Sequence, residues 1–177
     1  LCRSLVAKAE ARDGGKFGTA DARAAATRLA RVLGEQGARD EAEPLLRGAF
    51  EACKRDDGAA SASALEAARP LAALLLDLGH SHEALALRRE TFEARREALG
   101  EDDRDTLACA VALAEVLTLA GRTDEAMPLL VDAQARAEAA LGASAREAAA
   151  AANALAALHA RTGDRAKAEP LVRKTFE

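Results

Sequence analysis

Side chains that commonly carry out chemistry are sparse in this sequence of 177 residues. His80 and His82 lie two positions apart in a predicted turn, but a metal site there would need a third ligand, so we interpret both as solvated turn residues. His159 falls in a column of apolar residues, where a packed neutral imidazole is expected. Ser61 and Ser63 have no partner base nearby in the sequence. Because no nucleophile, base and orienting group occur together, we predict that the chain is not an enzyme.

The cysteines and glycines do not indicate a metal or cofactor site either. Cys2, Cys53 and Cys109 are widely separated in the sequence, whereas zinc sites place cysteines or histidines close to one another. We expect three reduced thiols that fill small core spaces, which fits a reducing compartment. The glycine-rich segment 14–18 lacks the spacing and the Lys-Ser/Thr ending of a phosphate-binding loop. We therefore predict neither a metal ion nor a cofactor.

The composition favours packed helices and a protein partner. Half of the residues are apolar, chiefly alanine and leucine, with four Phe and no Tyr or Trp. A net charge of −4 gives no electrostatic footprint for nucleic acid or an acidic membrane surface. No apolar run approaches the roughly 20 residues of a membrane span. A small-molecule ligand is not expected.

The ends of the sequence bear on its location. No signal peptide is visible, so we predict an intracellular, cytoplasmic protein. The chain starts without Met and stops inside a helical pattern, so we expect a piece of a longer protein. Organelle targeting therefore stays open at this point.

The predicted helices that position these residues recur along the sequence at a fixed interval, the one that separates Gly37 from Gly79. One glycine ladder with this period consists of Gly37, Gly79, Gly121 and Gly163. A second glycine ladder consists of Gly58, Gly100 and Gly142, and an alanine ladder consists of Ala42, Ala84, Ala126 and Ala168. Such self-similarity indicates a repeat architecture in which each unit is one supersecondary motif.

Each unit is predicted to contain two helices, A and B. Apolar residues at offsets of three and four place one face of helix A against its neighbours. The first glycine of each unit is expected to end helix A as a C-terminal cap with positive φ. Pro70 lies nine positions before Gly79, in the middle of a predicted helix A, so we expect a kink or a late start there.

Helix B follows a short turn and ends at the second glycine ladder. Asp40 and Asp124 are expected to cap its N-terminus. Its charged stretch over residues 88–97 mixes both signs at helical spacing and is interpreted as a solvated face. The prolines that share one position within about the first turn of helix B, where a missing N–H costs little, are Pro44, Pro128 and Pro170.

The order leucine, small residue, large residue, glycine and alanine at positions −8, −7, −4, 0 and +5 is the spacing of tetratricopeptide repeats. The longer period and the segment Leu99 to Leu107 resemble the repeats of kinesin light chains and their relatives. This resemblance implies an all-α, right-handed α-solenoid of about nine helices in antiparallel pairs. HEAT-type repeats also accept a period of this length, and the alanine at position +5 favours the tetratricopeptide interpretation. The family's usual Tyr at position −4 is absent here.

One repeat array is predicted over residues 1–177. Residues 1–18 hold helix B of a partial preceding repeat and a glycine-rich joint. Complete repeats follow over 19–58, 59–100 and 101–142, and a truncated one over 143–177.

The resemblance also implies that helix A of each repeat lines a concave wall. An extended peptide with an acidic residue followed by an apolar anchor would fit the change from basic to apolar side chains along that wall, since arginine grips a carboxylate through two hydrogen bonds. The alternative is an architectural segment of a larger assembly or multidomain regulator, held through helix B or terminal surfaces. The residues that the resemblance places on the wall for a peptide or partner helix are Thr27, Arg31, Arg69, Ala73, Leu76, Val111, Glu115 and Asn153.

Overall fold

The structure of the chain, a computed structural model, describes residues 17–142 and 144–174, and these fold into eight α-helices without a strand. The helices are α1 Ala20–Glu35, α2 Arg39–Asp57, α3 Ala62–Asp77, α4 Ser81–Leu99, α5 Arg104–Leu119, α6 Thr123–Leu141, α7 Arg146–Thr162 and α8 Arg165–Lys174. Odd-numbered helices are the predicted helices A, and even-numbered ones are the predicted helices B. Each helix start recurs one repeat period later, so the predicted all-α repeat fold is confirmed. The helix expected before residue 13 lies outside the described residues.

Side-chain caps fix the start of three of the A helices. Thr19, Ser61 and Asp103 are equivalent positions of successive repeats, and each accepts a hydrogen bond from a backbone N–H of the first turn. The distances are 3.2 Å for Thr19, 3.1 Å for Ser61, and 2.9 and 3.3 Å for Asp103. Ala145 holds the same place before α7 and supplies no such bond. The caps satisfy N–H groups that have no partner inside the helix.

The first glycine ladder ends the A helices as predicted. In α3 the N–H of Gly79 donates to the carbonyl of Leu76 at 3.0 Å, and the N–H of His80 donates to that of Leu75 at 2.7 Å. This closure requires a left-handed residue at Gly79, whose φ is 81°, and glycine adopts it without a Cβ clash. The other three members have φ between 77° and 83°.

The B helices start earlier than predicted. Helix α2 begins at Arg39 after Ala38, which makes no side-chain cap, so Asp40 lies inside the first turn. Asp124 lies inside the first turn of α6 in the same way. Both acids still favour the positive end of the helix dipole, but the prediction that they are caps is wrong. Pro44 is consequently the sixth helical residue rather than a first-turn residue.

Helix α3 runs through Pro70 without a late start. It begins at Ala62 and continues to Asp77, because the cap at Ser61 fixes its first turn well before the proline. A proline inside a helix removes one backbone hydrogen bond and crowds the preceding turn. The helix nevertheless continues on both sides of Pro70, despite the missing hydrogen bond.

The chain divides into two compact units, residues 1–91 and 92–177, with the boundary inside α4. In the first unit α1 packs on α2, α2 packs on α3, and α1 also contacts α3. In the second unit α5 packs on α6, α6 on α7 and α7 on α8, while α5 also contacts α7. The alanine column of the A helices supports this packing, since Ala30, Ala72, Ala114 and Ala156 are at most 4% exposed. Small side chains let helix axes approach closely.

An aromatic side chain fills a notch in α2. Phe17 is 7% exposed and packs with Ala26, Ala49 and Leu45. A Cβ atom built on Gly48 would lie 2.1 Å from Cε2 of the Phe17 ring. Gly48 therefore provides the space that the ring occupies. The backbone of Phe17 has a φ of 74°, which is uncommon for a residue with a side chain.

Within the described part of the chain, no helix is long and apolar enough to cross a membrane.

Candidate functional site

Three arginines mark the solvent-facing side of the A helices in the first unit. Arg31 on α1 and Arg69 on α3 are exposed, and neither has an ion-pair partner among the described residues. Arg28, one turn before Arg31, is also exposed and also lacks a partner there; sequence analysis did not single it out. Helices α1 and α3 contact each other, so all three belong to one packed pair of A helices.

The other predicted wall residues of this unit differ in accessibility. Ala73 on α3 is exposed, whereas Leu76 is half-buried. Thr27 on α1 is half-buried, and its hydroxyl donates to the carbonyl of Arg23 at 3.0 Å. Thr27 therefore already has a hydrogen-bond partner within its own helix. The accessible chemistry of the A helices in this unit is cationic, with a small apolar area beside it.

In the second unit the predicted wall residues separate into exposed and buried ones. Glu115 on α5 and Asn153 on α7 are exposed. Val111 is 6% exposed and belongs to the core of this unit. Leu119, at the end of α5, is 61% exposed and presents apolar surface that sequence analysis did not predict. Its position equals that of Glu35 and Asp77 in the preceding repeats, where a charged residue gave no reason to expect an apolar one.

Ion pairs connect the B helices of the first unit. Arg47 on α2 donates to Glu83 on α4 at 2.8 Å, and to Glu43 of its own helix at 2.6 Å. Lys54 donates to Glu90 at 2.5 Å, and its ammonium lies 5.5 Å from the centroid of the Phe50 ring. The hydrogen bond to Glu90 raises the pKa of Lys54, and the hydrogen bond from Arg47 lowers the pKa of Glu83. The positive charges of Arg47 and Lys54 are therefore matched by carboxylates of the B helices.

A cavity of about 170 Å³ opens in the second unit between the C-terminal half of α4, the start of α5, and α6. We call it the α4–α6 cavity. Its mouth carries Arg136, which pairs with Glu101, Asp102 and Asp132 at 2.6 to 2.9 Å, and these bonds raise the pKa of the guanidinium. The other residues that line it, besides Glu101 and Asp132, are Phe92, Arg96, Thr106, Leu107, Ala110, Leu129 and Ala133.

One member of the stretch interpreted as a solvated face is in fact buried. Arg95 is 5% exposed, and its Nη1 donates to Asp105 at 3.0 Å. The repeat register explains its position, because Arg95 shares a column with Cys53 and Ala137, which are 3% and 0% exposed. The small, apolar residues in this column were the sequence signal that could have predicted the burial of Arg95. Arg96 is exposed, as predicted.

The remaining candidate side chains have structural surroundings. His159 is 9% exposed, in keeping with its apolar column. Cys53 is buried, and burial raises the pKa of its thiol, so it stays protonated near neutral pH. Cys2 lies outside the described residues.

Comparison with known proteins identifies the class of fold. Two models of the tetratricopeptide repeat match the sequence, one over residues 23–55 and the other over residues 62–139, which together exceed half of the chain. The chain belongs to the tetratricopeptide repeat family, an α-solenoid class whose members act as protein-interaction modules. The HEAT-type alternative is thereby excluded.

Solved structures narrow the kind of repeat. A Podosopora anserina protein described as a kinesin light chain with nearly identical TPR-like repeats matches with a TM-score of 0.78 at 22% identity, over 99% of this chain and 82% of that one. A variant of the same Podosopora anserina protein gives a TM-score of 0.81 at the same identity and coverage. BtubC (BKLC) from P. vanneervenii gives 0.74 at 18% identity, over 98% of this chain and 70% of that one. The fold is therefore that of kinesin-light-chain-type repeats. Among curated proteins, none matches this sequence.

Proposed function

We propose that the chain is a non-catalytic module that binds an extended peptide of a partner protein along the exposed side of its A helices. The observation that carries this proposal is the set of exposed arginines without partners among the described residues, Arg28, Arg31 and Arg69, on the contacting helices α1 and α3. In the same unit other cations form ion pairs with another helix, namely Arg23, Arg47 and Lys54. Exposed arginines without an ion pair in the described part of the chain, on two contacting helices and beside cations that are paired, support an anionic partner.

The chemistry of the neighbouring residues suggests the form of the peptide. A guanidinium binds a carboxylate through two parallel hydrogen bonds, so an Asp or Glu side chain suits Arg31 or Arg69. Ala73 and half-buried Leu76 on α3 offer room for a small apolar residue next to it. The partner segment is thus an acidic residue followed by an apolar one, held in an extended conformation. An intracellular location is part of this proposal, because a free, buried thiol such as that of Cys53 suits a reducing compartment.

A charge-reversal experiment tests this function. Peptides are selected from a random library on the intact chain, and their affinity is measured by isothermal titration for the chain and for Arg31→Glu combined with Arg69→Glu. We expect the selected peptides to contain Asp or Glu, and the double variant to bind them about 10- to 100-fold more weakly.

The matched control reverses two arginines on helix α2, Arg39→Glu with Arg55→Glu, which changes the net charge equally. Circular dichroism verifies that all three proteins are folded. Equal affinity of the chain and the Arg31/Arg69 variant would show that the arginines do not hold the peptide.

The architectural role is a second candidate, favoured by one observation. Val131 on α6 is 54% exposed and therefore presents apolar surface on a B helix. In that case Val131→Glu would abolish association with the other subunit in a pull-down, whereas the Arg31/Arg69 variant would still associate. The opposite pattern would support the peptide site.

A further inference from the structure

The α4–α6 cavity divides into an apolar interior and a charged mouth. Phe92 on α4, Leu107 and Ala110 on α5, and Leu129 and Ala133 on α6 supply carbon surface. Its volume of about 170 Å³ compares with the engineered cavity of about 150 Å³ that holds benzene, a molecule of six heavy atoms. A lysine side chain beyond its Cα has five. The cavity is therefore of the right size for one long side chain and too small for a peptide backbone.

The repeat before this one shows what the same positions can hold. Phe50, Lys54 and Glu90 are the equivalents, one repeat earlier, of Phe92, Arg96 and Asp132. There the Lys54 ammonium lies 5.5 Å from the Phe50 ring centroid and donates to Glu90 at 2.5 Å. An aromatic ring and a carboxylate from consecutive B helices thus hold a lysine ammonium in the first unit.

In the second unit the ring and the carboxylate are present, but the chain's own cation, Arg96, contacts only the ring and forms no ion pair with Asp132. The Arg96 guanidinium lies 5.9 Å from the Phe92 ring centroid and pairs with Glu93 of its own helix at 2.5 Å. Asp132 pairs with Arg136 instead, at 2.8 Å. Phe92 is only half-buried, whereas Phe50 is 3% exposed. The bridge between ring and carboxylate that a cation makes in one repeat is therefore missing in the next, where Phe92 and Asp132 both line the cavity.

Charge and hydrogen bonding at the cavity favour a donor that carries positive charge. The carboxylates Glu101 and Asp132 line the cavity together with the guanidiniums of Arg96 and Arg136. Glu93 and Asp102 also pair with these two guanidiniums, so the ion-pair network at the cavity holds two more carboxylates than guanidiniums. In the cavity wall Thr106 is 1% exposed, and its Oγ1 has no hydrogen-bond partner among the described residues. A buried hydroxyl without a partner costs free energy, which an incoming N–H donor would recover. Alanine, Ala64, stands at this position in the preceding repeat.

We propose that the α4–α6 cavity binds one lysine side chain of a partner protein. The aliphatic stem packs on Phe92, Leu107 and Leu129, and the ammonium donates to Asp132 and Glu101 at the mouth. Thr106 accepts a further hydrogen bond from the same ammonium. The site is separate from the proposed peptide site on α1 and α3, and does not depend on it.

The probes are n-butylammonium chloride, which reproduces the lysine side chain, and n-butanol, which has the same stem without charge. Each is titrated into the isotopically labelled chain, with chemical shifts of the backbone amides and methyl groups as readout. We expect n-butylammonium to give saturable shifts confined to residues around Leu107, Ala110 and Leu129, with a Kd in the range of about 1 to 50 mM. Butanol is expected to bind at least about tenfold more weakly. Equal binding of the two, or shifts spread over the whole surface, would overturn the proposal.

Two peptides then separate a protein lysine from a free amine. The first is the N-acetylated and C-amidated pentapeptide AAKAA, and the second carries the same lysine acetylated at Nζ. The proposal expects shifts at the same residues from the first peptide and none from the second. If only n-butylammonium binds, the site takes free amines, and the assignment to a partner protein is wrong.

Variants locate the interaction. Asp132→Asn with Glu101→Gln is expected to weaken n-butylammonium binding about tenfold or more, and Ala133→Leu to abolish it by filling the cavity. Thr106→Val removes the hydroxyl at constant shape and is expected to weaken binding severalfold. The matched control is Asp77→Asn with Glu66→Gln, which removes two carboxylates from α3 and leaves the Kd unchanged. Binding that survives Ala133→Leu would refute the site. The Arg31/Arg69 variant keeps this binding, so failure here is distinguishable from failure of the peptide site.

Discussion

At the scale of single residues, Arg95 is the side chain least well matched to its surroundings. Its Nη1 has a partner in Asp105, but its Nε and Nη2 are buried and have none among the described residues. Its partner is about half exposed, so one end of the pair is hydrated and the other is not. A buried guanidinium with incomplete hydrogen bonding costs free energy that a neutral side chain of similar volume would not.

Removing Asp105 is therefore expected to lower the stability of the fold, whereas removing Arg95 is not. Asp105→Ala leaves the buried charge alone and should lower the free energy of unfolding by about 1–3 kcal/mol. Arg95→Met removes the charge at similar volume and should leave stability unchanged or raise it. Urea unfolding followed by circular dichroism measures both, with Glu93→Ala in an exposed pair as the control. A loss of stability in Arg95→Met as large as in Asp105→Ala would mean that the guanidinium contributes more by packing and hydrogen bonding than it costs.

Arg95 also shows where prediction from sequence reached its limit at this scale. Periodic charges predicted a solvated helix face, and the exposure of Arg96 agrees with that. The repeat register points to burial instead, since Cys53 and Ala137 occupy the same column and are buried, but the sequence analysis followed the charge pattern. Burial follows from the packing of the neighbouring helix, so the register outweighs the local charge pattern.

At the scale of elements, α3 contains a residue that opposes its own helix. Pro70 stands where α5 has Ala112 and α7 has Ala154. We expect Pro70→Ala to raise the free energy of unfolding by about 2 kcal/mol, because the restored helix hydrogen bond outweighs the freedom that the unfolded chain gains. Thermal unfolding of the variant beside the parent measures this change.

The control for Pro70 is Ala73→Pro, one turn further along α3, which should lower stability by about 3 kcal/mol. A Pro70→Ala variant that unfolds more readily than the parent would mean that the half-buried ring contributes more by packing than the missing hydrogen bond costs. Peptide affinity measured on Pro70→Ala would also report whether the proline sets the direction of Arg69.

The presence and the ends of the helices were largely predictable from the sequence, whereas their first residues were harder to predict. Glycine at Gly79 predicts the end of α3 because few other residues accept its φ. The A–B turn is shorter than the position of Asp40 suggested, and a small difference in the helix start turns an expected cap into a first-turn residue. The contact of Phe17 with Gly48 joins residues that are far apart in the sequence, so no local pattern could reveal it.

At the scale of the whole molecule, each described contact between helices joins elements that are adjacent or one apart in the chain. Stability in such arrays is approximately a sum of repeat and interface terms. We expect Ala114→Phe, at a position 0% exposed, to cost about 1–3 kcal/mol through overpacking. Hydrogen exchange should show faster exchange in α5, α6 and α7, and unchanged rates in α1 and α2. The control is Ala108→Phe, which is exposed on the same helix.

Two results would contradict this expectation. Uniformly faster exchange over every helix would mean that the array unfolds as one cooperative unit. Unchanged stability in Ala114→Phe would mean that the alanine column is not needed for the approach of α5 to its neighbours.

The candidate sites were predictable only in part. The family resemblance places Arg31 and Arg69 on the wall of the A helices, and both are exposed. It does not distinguish Val111, which is buried, from Glu115, which is exposed, because burial at the edge of a face depends on how closely the next helix packs. The α4–α6 cavity is formed by three helices together and leaves no trace in any one of them.

The pair formed by Arg95 and Asp105 has a consequence for the order in which repeats assemble. The corresponding positions hold Cys53 with Ser63 one repeat earlier, and Ala137 with Glu147 one repeat later. Each junction thus has its own chemistry although the helices recur with one period. A repeat of a second molecule that packed at the wrong place in this order would bury Arg95 against a serine or leave Asp105 beside a thiol. Similar repeats can swap between molecules. These unlike pairs destabilise swapped arrangements relative to the native one.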